Sequence, residues 1–314
     1  MSLHPTDVGH RVVVRRVLTG PDAERPQFSD VLGELIELSA ERQRVVVRTP
    51  TGEVVISVAE IVAAKRIPPR RVKDLELERI AALGWRGLDT DQIGGWHLRA
   101  AGGWTGRANS VLPLGDPGVS LDDALAQVKA WYAERGLPPL FQLPLPAGSR
   151  LKQALEDRGW RDQRGALVLT AEIAALRLPA RDLPPVTITG EPDPDWLATY
   201  HYRGSALPDV ALAVLTNADA PGFAAVRSDG RPIAICRLTV DEGWVGVTAV
   251  EVDPAHRRRG LATHLLAGAV DWAAGKGARH VYLQTEPENT VARAMYEKLG
   301  FELHHVYRYY GLAA

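Results

Sequence analysis

Three consecutive arginines followed by a glycine, Arg257-Arg258-Arg259-Gly260, stand where a strand gives way to a helix, an arrangement suited to holding an anion. The run Trp244-Val245-Gly246-Val247-Thr248-Ala249-Val250-Glu251-Val252 is short and β-branched, so it predicts a strand, and Pro254 stops it. Leu261, Leu265, Leu266, Ala269 and Val270 then recur at helical spacing, so a helix begins near Arg259-Gly260 with one apolar side turned inward. The first turn of a helix carries backbone N–H groups with no intrahelical partner, and the helix dipole adds positive potential there. A pyrophosphate fits such a turn.

A P-loop requires Gly-x-x-x-x-Gly-Lys-Ser/Thr and a dinucleotide fingerprint requires Gly-x-Gly-x-x-Gly; the sequence has neither at this turn. It has Arg257-x-x-Gly260-x-Ala262 directly after a strand ending Val-x-Pro, and further on Asn289-x-x-Ala292-x-x-Met295-Tyr296-Glu297-Lys298-Leu299-Gly300-Phe301. Together these resemble the acetyl-CoA signature and the following helix of the GNAT superfamily of N-acetyltransferases. The resemblance covers residues 186–314 and implies acetyl-CoA as acyl donor. It implies a cofactor grip made by Arg257, Arg258, Arg259, Gly260, Leu261 and Ala262, extended by Thr263. Backbone groups near Val250 and Val252 would pair with the pantetheine arm where two central strands splay.

Acyl transfer from a thioester to an amine also needs a polarised carbonyl, a neutral amine and a proton for the leaving thiolate. Asn289 and Tyr296 are seven residues apart, so two helical turns put them on one face, with Ala292 and Arg293 between. The family resemblance implies that Asn289, with Arg293 beside it, contacts the cofactor arm and that Tyr296 sits near its sulfur, which makes Tyr296 the expected general acid. A phenol of pKa about 10 serves a thiolate whose acid has pKa about 8.5 only if the site assists. A core tyrosine at a helix end is the bland alternative. The base is open: some relatives place a glutamate where this chain has Gln284, and Glu251, Glu286, Glu288 or a relayed water could act instead. The histidines His201, His256, His264, His304 and His305 show no metal-ligand spacing, so no metal is expected.

The elements that position these residues recur. At a constant offset of 141, Val111 meets Val252, Pro113 meets Pro254, Leu125-Ala126 meets Leu266-Ala267, Trp131 meets Trp272 and Gly159 meets Gly300. An internal duplication follows. The copies differ where chemistry is expected: Asp116-Pro117-Gly118-Val119-Ser120-Leu121 stands opposite the arginine turn, Gly148 opposite Asn289 and Leu155 opposite Tyr296. Before both copies, Arg11–Arg15, Val31–Leu38, Arg44–Arg48 and Val54–Val58 are short strands resembling an SH3-like or Tudor-like barrel, with Phe28 as its one aromatic. The expected fold class is α/β (α+β): a barrel over 1–68, a degenerate GNAT-like domain over 74–172 and a catalytic GNAT domain over 185–314, with a linker at Ile67–Arg71.

A formal net charge of -1, from 37 Lys+Arg against 38 Asp+Glu, supplies no global basic field for nucleic acid. One cysteine, Cys236, excludes an internal disulfide framework and suits a reducing cytoplasm; its apolar neighbours mark it as a core thiol. No apolar run is long enough to cross a bilayer. The reading is a soluble cytoplasmic N-acetyltransferase. Its acceptor is a small-molecule or protein amine, and residues 1–68 are left for a protein contact. A non-catalytic acyl-CoA-binding sensor or adaptor is the alternative.

Overall fold

Valines two apart force the N-terminal segment into strands with one face inward: Val12 and Val14, then Val45 and Val47, are fully buried. The computed structural model describes residues 3–18, 27–39, 41–49, 51–66, 72–202 and 204–312. It divides into two units, Met1–Val72 and Lys73–Ala314. The first is a five-stranded antiparallel sheet of β1 (Arg11–Leu18), β2 (Gln27–Ser39), β3 (Arg44–Thr49), β4 (Gly52–Ser57) and β5 (Ile61–Arg66), ordered β4-β3-β2-β1-β5. A bulge between Leu35 and Glu37 bends β2 where it must pair with both β1 and β3. The expected linker at Ile67–Arg71 lies outside the described residues.

The second unit opens with α1 (Asp74–Gly84), then β6 (Asp89–Ile93), β7 (Trp96–Ala100), β8 (Leu112–Pro113), α2 (Leu121–Ala133), β9 (Leu140–Leu145), α3 (Ser149–Glu156) and β10 (Trp160–Glu172). There follow β11 (Val186–Thr189), α4 (Pro194–Thr199), α5 (Ala211–Thr216), β12 (Gly222–Ser228), β13 (Arg231–Asp241), β14 (Trp244–Val252), α6 (Leu261–Ala274), β15 (His280–Thr285), α7 (Thr290–Leu299) and β16 (Glu302–Leu312). Shifted by 141, α2, β9, α3 and β10 begin within one residue of α6, β15, α7 and β16.

The sheets do not respect the sequence boundary expected between residues 172 and 185. β6-β7-β8 form a small sheet, and everything from β9 onward joins one eight-stranded sheet ordered β11-β12-β13-β14-β15-β10-β16-β9. The last strands of the two copies, β10 and β16, pair with each other, from Trp160↔Leu312 to Thr170↔Glu302. Each also pairs with the penultimate strand of the other copy, β10 with β15 and β16 with β9. The copies have exchanged their final strands, and one continuous ladder joins them.

Two apolar clusters flank the part of the large sheet formed by β12–β15. Leu261, Leu265, Leu266, Ala269 and Val270 of α6, with Tyr296 and Leu299 of α7, pack on β12–β15. Trp85, Trp104, Trp196, Tyr200, Val214 and Leu215 form a second, aromatic-rich cluster with Phe223, Ala225 and Ile235. Burying side chains of this size contributes roughly 1.5–3 kcal/mol each. Between Ala108 and Pro113 only the two residues of β8 pair as a strand. Asn109 is the reason: its Oδ1 accepts from Ala101 N (2.7 Å) and Gly103 N (2.8 Å), and its Nδ2 donates to Thr105 O (2.8 Å), so a buried amide templates a loop in place of a ladder.

Candidate functional site

β14 and β15 run parallel and pair from Trp244↔His280 to Val247↔Leu283, then part. β14 continues along β13 to Val252, while β15 continues along β10, with Val168↔Gln284 and Leu167↔Thr285. The backbone edge of Thr248 to Val252 therefore faces an opening. A bulge sharpens it: Ile235 pairs with Glu251 and Arg237 with Thr248, so the extra residue is taken up around Ala249, which has φ +50. Val250 and Val252 pack toward the α6 side, and Ala249 toward the opposite cluster. Glu251 borders a cleft with His201, Asp253 and Arg257. Burial pushes its carboxyl above the usual glutamate range, against the opposing pull of Arg257 and His201.

β14 ends in a short turn. Asp253 Oδ1 accepts from Ala255 N at 2.7 Å, and Pro254–His256 form a single 3-10 turn. Arg258 then takes φ +63 and Gly260 φ +81, with Arg259 between them outside the positive-φ region. Alternating signs of this kind aim successive N–H groups to one side. Gly260 caps α6 without any side-chain hydrogen bond, and the first intrahelical bond is His264 N to Gly260 O at 3.0 Å. The N–H groups of Leu261, Ala262 and Thr263 lie ahead of that bond. Leu261 and Thr263 are buried and anchor the turn from below.

All three arginines are exposed. Arg257 is folded back, its Nε donating to Val252 O at 3.2 Å and its Nη2 lying 3.6 Å from Glu251 Oε1. A fourth cation that the sequence pattern does not single out, Arg181, comes from the segment between the two expected GNAT-like domains. The guanidinium of Arg181 lies against Gly260 so closely that a Cβ there would stand 2.5 Å from Arg181 Cζ. That segment is tied down by Pro184 O, 2.9 Å from His264 Nε2. Glycine at 260 is thus required by both backbone conformation and space.

On α7, Asn289 is the N-cap and its Oδ1 accepts from Ala292 N at 3.1 Å. Arg293 Nη1 donates to Pro287 O at 3.0 Å. Tyr296 is 7% exposed, lies 5.4 Å from the ring of Phe301, and has Cys236 close by; burial, then that thiol, pushes its phenol well above its ordinary range. Cys236 is itself buried, which raises its thiol in turn. The turn and α7 are thus brought to one side of the sheet, beside the opening.

The first copy presents the opposite chemistry at its corresponding turn. Ser120 Oγ accepts from Asp123 N at 3.2 Å, so α2 is capped by its own side chain, with Asp122 and Asp123 in its first turn. Gly95 N donates to Asp116 O at 2.6 Å, which lays the β6–β7 turn over the segment. Its strands are also closed: Val111 N donates to Leu140 O (2.7 Å) and Gln142 N to Val111 O (2.8 Å), at the position aligned with Val252.

A cluster that spacing did not show lies elsewhere. The bulge between Val168 and Leu169 in the β10–β16 register brings His304 and His305 together, with Nδ1 atoms 2.8 Å apart. Asp74 and Glu78, one turn apart on α1, meet them: His305 Nε2 is 2.9 Å from Glu78 Oε1 and His304 Nδ1 3.7 Å from Asp74 Oδ1. Potential ligand atoms of Asp74, His304 and His305 all lie within 4.8 Å of one another. Hydrogen bonding already satisfies His305 on both ring nitrogens.

Comparison with known proteins fits this geometry. Residues 74–310 match the family described as "Probable histone acetyltransferase Rv0428c C-terminal", and residues 6–65 the one described as "Rv0428c N-terminal Sm-like domain". The Sm-like match is consistent with the small SH3-like barrel expected over residues 1–68. The chain is 32% identical over 321 residues to the probable histone acetyltransferase Rv0428c of Mycobacterium tuberculosis, covering 96% of this chain and 94% of that one. It is 27% identical over 232 residues to the uncharacterized N-acetyltransferase YobR of Bacillus subtilis, covering 72% and 93%. Among solved structures, a GCN5-related N-acetyltransferase from Kribbella flavida shares the fold over 77% of this chain and 96% of its own, with TM-score 0.59 and 20% identity. A tandem GNAT protein from the clavulanic acid biosynthesis pathway does so over 78% and 88%, with TM-score 0.52 and 13% identity.

Proposed function

The chain belongs to the GNAT family of N-acetyltransferases, and from that premise we propose that it moves the acetyl group of acetyl-CoA directly onto a primary amine, at the opening between β14 and β15. The observation that carries this reading is the pairing of an uncapped α6 with a parted strand edge one turn upstream. The amides of Leu261, Ala262 and Thr263, with Arg258, Arg259 and Arg181, would hold the diphosphate. The free edge at Val250 and Val252 would pair with the pantetheine amides as a neighbouring strand does. Asn289 and Arg293 would flank the arm from α7. Arg257, drawn back onto Val252 O, would brace the turn rather than reach the cofactor.

In this reading an N–H of β14 polarises the thioester carbonyl. The neutral amine attacks the carbonyl carbon, the C–N bond forms as the C–S bond breaks, and the ammonium proton passes to a base. Tyr296 returns a proton to the thiolate. Burial keeps its phenol protonated but also makes it a weaker acid, so the transfer requires the sulfur to be held against it. Glu251 and Glu286 flank the opening as the two carboxylates positioned to take the amine's proton. Residues 1–68 are proposed to make a protein contact.

The experiment is thiol release from acetyl-CoA with a panel of amines, paired with calorimetric binding of acetyl-CoA. Turnover with at least one amine, and loss of binding in Arg258→Ala, are the expected results. Tight binding without thiol release from any amine would instead identify an acyl-CoA sensor.

A further inference from the structure

The loop that Asn109 templates carries a guanidinium to the point where the central strands part. Thr105 Oγ1 accepts from Trp85 Nε1 at 3.0 Å, and Arg107 follows with Cζ 4.5 Å from the centroid of the Trp85 ring. Its Nη1 donates to Gln284 Oε1. Gln284 is the residue directly after Leu283, the last of β15 to pair with β14. The first copy, which has lost the features of an anion turn, thus contributes a cation beside the opening in the second.

Among the described residues Arg107 has no carboxylate partner; the groups facing it are Tyr307, Tyr309, Tyr282 and Tyr200. Residue type at 284 is decisive here. A glutamate would neutralise Arg107 in place, whereas glutamine accepts its N–H and leaves the charge uncompensated. The same bond fixes which way the amide points, and Nε2 is left buried with no hydrogen-bond partner. A cavity of about 170 Å³ is walled by Arg107, Arg164, Tyr202, Gln284, Tyr309 and Glu286. Arg164 lies over the Tyr309 ring at 5.1 Å, so among the described lining residues two arginines and Gln284 share one space with one acid, Glu286.

Resting on the acetyltransferase reading above, we propose that this cavity receives a carboxylate of the acceptor, so that the enzyme's substrates are amines of the amino-acid class rather than basic peptides. The carboxylate would take the Arg107 fork and the Gln284 amide, which offsets the cost of keeping that cation poorly solvated. Glu286 would face the ammonium end before it loses its proton. Arg107 and Gln284 are specificity residues in this account, and the diphosphate grip is untouched by it.

Matched amines offered as carboxylate and carboxamide test this: lysine against lysinamide, and 4-aminobutyrate against 4-aminobutyramide, read by thiol release with the full chain. A site built to bond a charged group rejects the neutral analogue strongly, so a preference of about tenfold or more in kcat/KM for the carboxylate is expected. Arg107→Met should remove that preference by lowering the carboxylate rates about tenfold more than the carboxamide rates, and Gln284→Glu, which supplies an internal anion, should remove it as well. Arg107→Lys should keep part of it. Equal rates for the two members, an equal drop for both in Arg107→Met, or a short lysine-rich peptide outpacing both would overturn the proposal. If no amine releases thiol, the acetyltransferase reading is at fault, and calorimetry with the carboxylates decides the cavity separately. Heat that vanishes in Arg107→Met supports the cavity, and no heat with the unaltered protein overturns it.

Discussion

The turn at Asp116–Leu121 and the turn at Arg257–Ala262 occupy equivalent places in two copies of one α/β unit, yet they treat an anion in opposite ways. In the first, Ser120 consumes a helix-start amide and Asp122 and Asp123 set negative charge at the positive end of α2. In the second, no side chain caps α6, Arg181 lies against Gly260, and Arg258 and Arg259 precede it exposed. The strands repeat the contrast, joined at Val111 but parted after Val247. A fold supplies a helix start everywhere; whether it binds phosphate is decided by who satisfies the first amides and which charges stand nearby. The copy without the grip is not idle, since its loop 101–109 furnishes Arg107 at the opening of the other.

The sharpest way to break the comparison is Gly260→Val, which installs the residue of the first copy. It meets both a positive φ and the Arg181 guanidinium, and acetyl-CoA affinity measured by calorimetry should fall by about 100-fold or more, with a stability loss of about 1–3 kcal/mol from the strained turn. Next, Tyr296→Phe should lower kcat by about 10- to 100-fold and leave KM for acetyl-CoA unchanged, because the phenol is proposed to act on the leaving sulfur and not in binding. Leu155, its counterpart, predicts no such effect on substitution.

A smaller effect concerns pH. Burial raises the Glu251 carboxyl, so its basic form appears only above the ordinary glutamate range, and kcat/KM should climb with pH through that raised value. Glu251→Gln should flatten the limb; an unchanged profile would assign the proton to Glu286 or to water. Smallest of all, Ser120→Ala should cost about 1 kcal/mol of stability in a denaturant melt and leave acetyl-CoA affinity unaltered. A gain in affinity there would mean the first copy retains a latent site.

Local chemistry made part of this legible in the sequence. The arginine turn, the Asn289 cap and the Gly300 stop at φ +101 are each set by a few neighbouring residues. The duplication was legible because helix and strand starts repeat at one offset. The exchange of β10 and β16 was not, since it depends on pairs such as Leu167↔Thr285 that no local pattern specifies, and because Arg161-Asp162-Gln163-Arg164 reads as solvent-facing polar chain. The same holds for Glu78 and His305: only a bulge at His304 and a helix from the other copy bring them to 2.9 Å. Arg181 and Arg107 were hidden for a related reason, being loop residues whose targets lie far along the chain.

The interleaved ladder has a consequence for biogenesis. β10 leaves the ribosome long before β15 and β16 exist, so through most of the synthesis of the second copy it is an orphan with two open edges, the state most prone to wrong pairing. Neither copy can be excised intact, because each would take away a strand that belongs to its neighbour's lattice. What began as two inherited units has become a single heirloom, passed on whole or not at all.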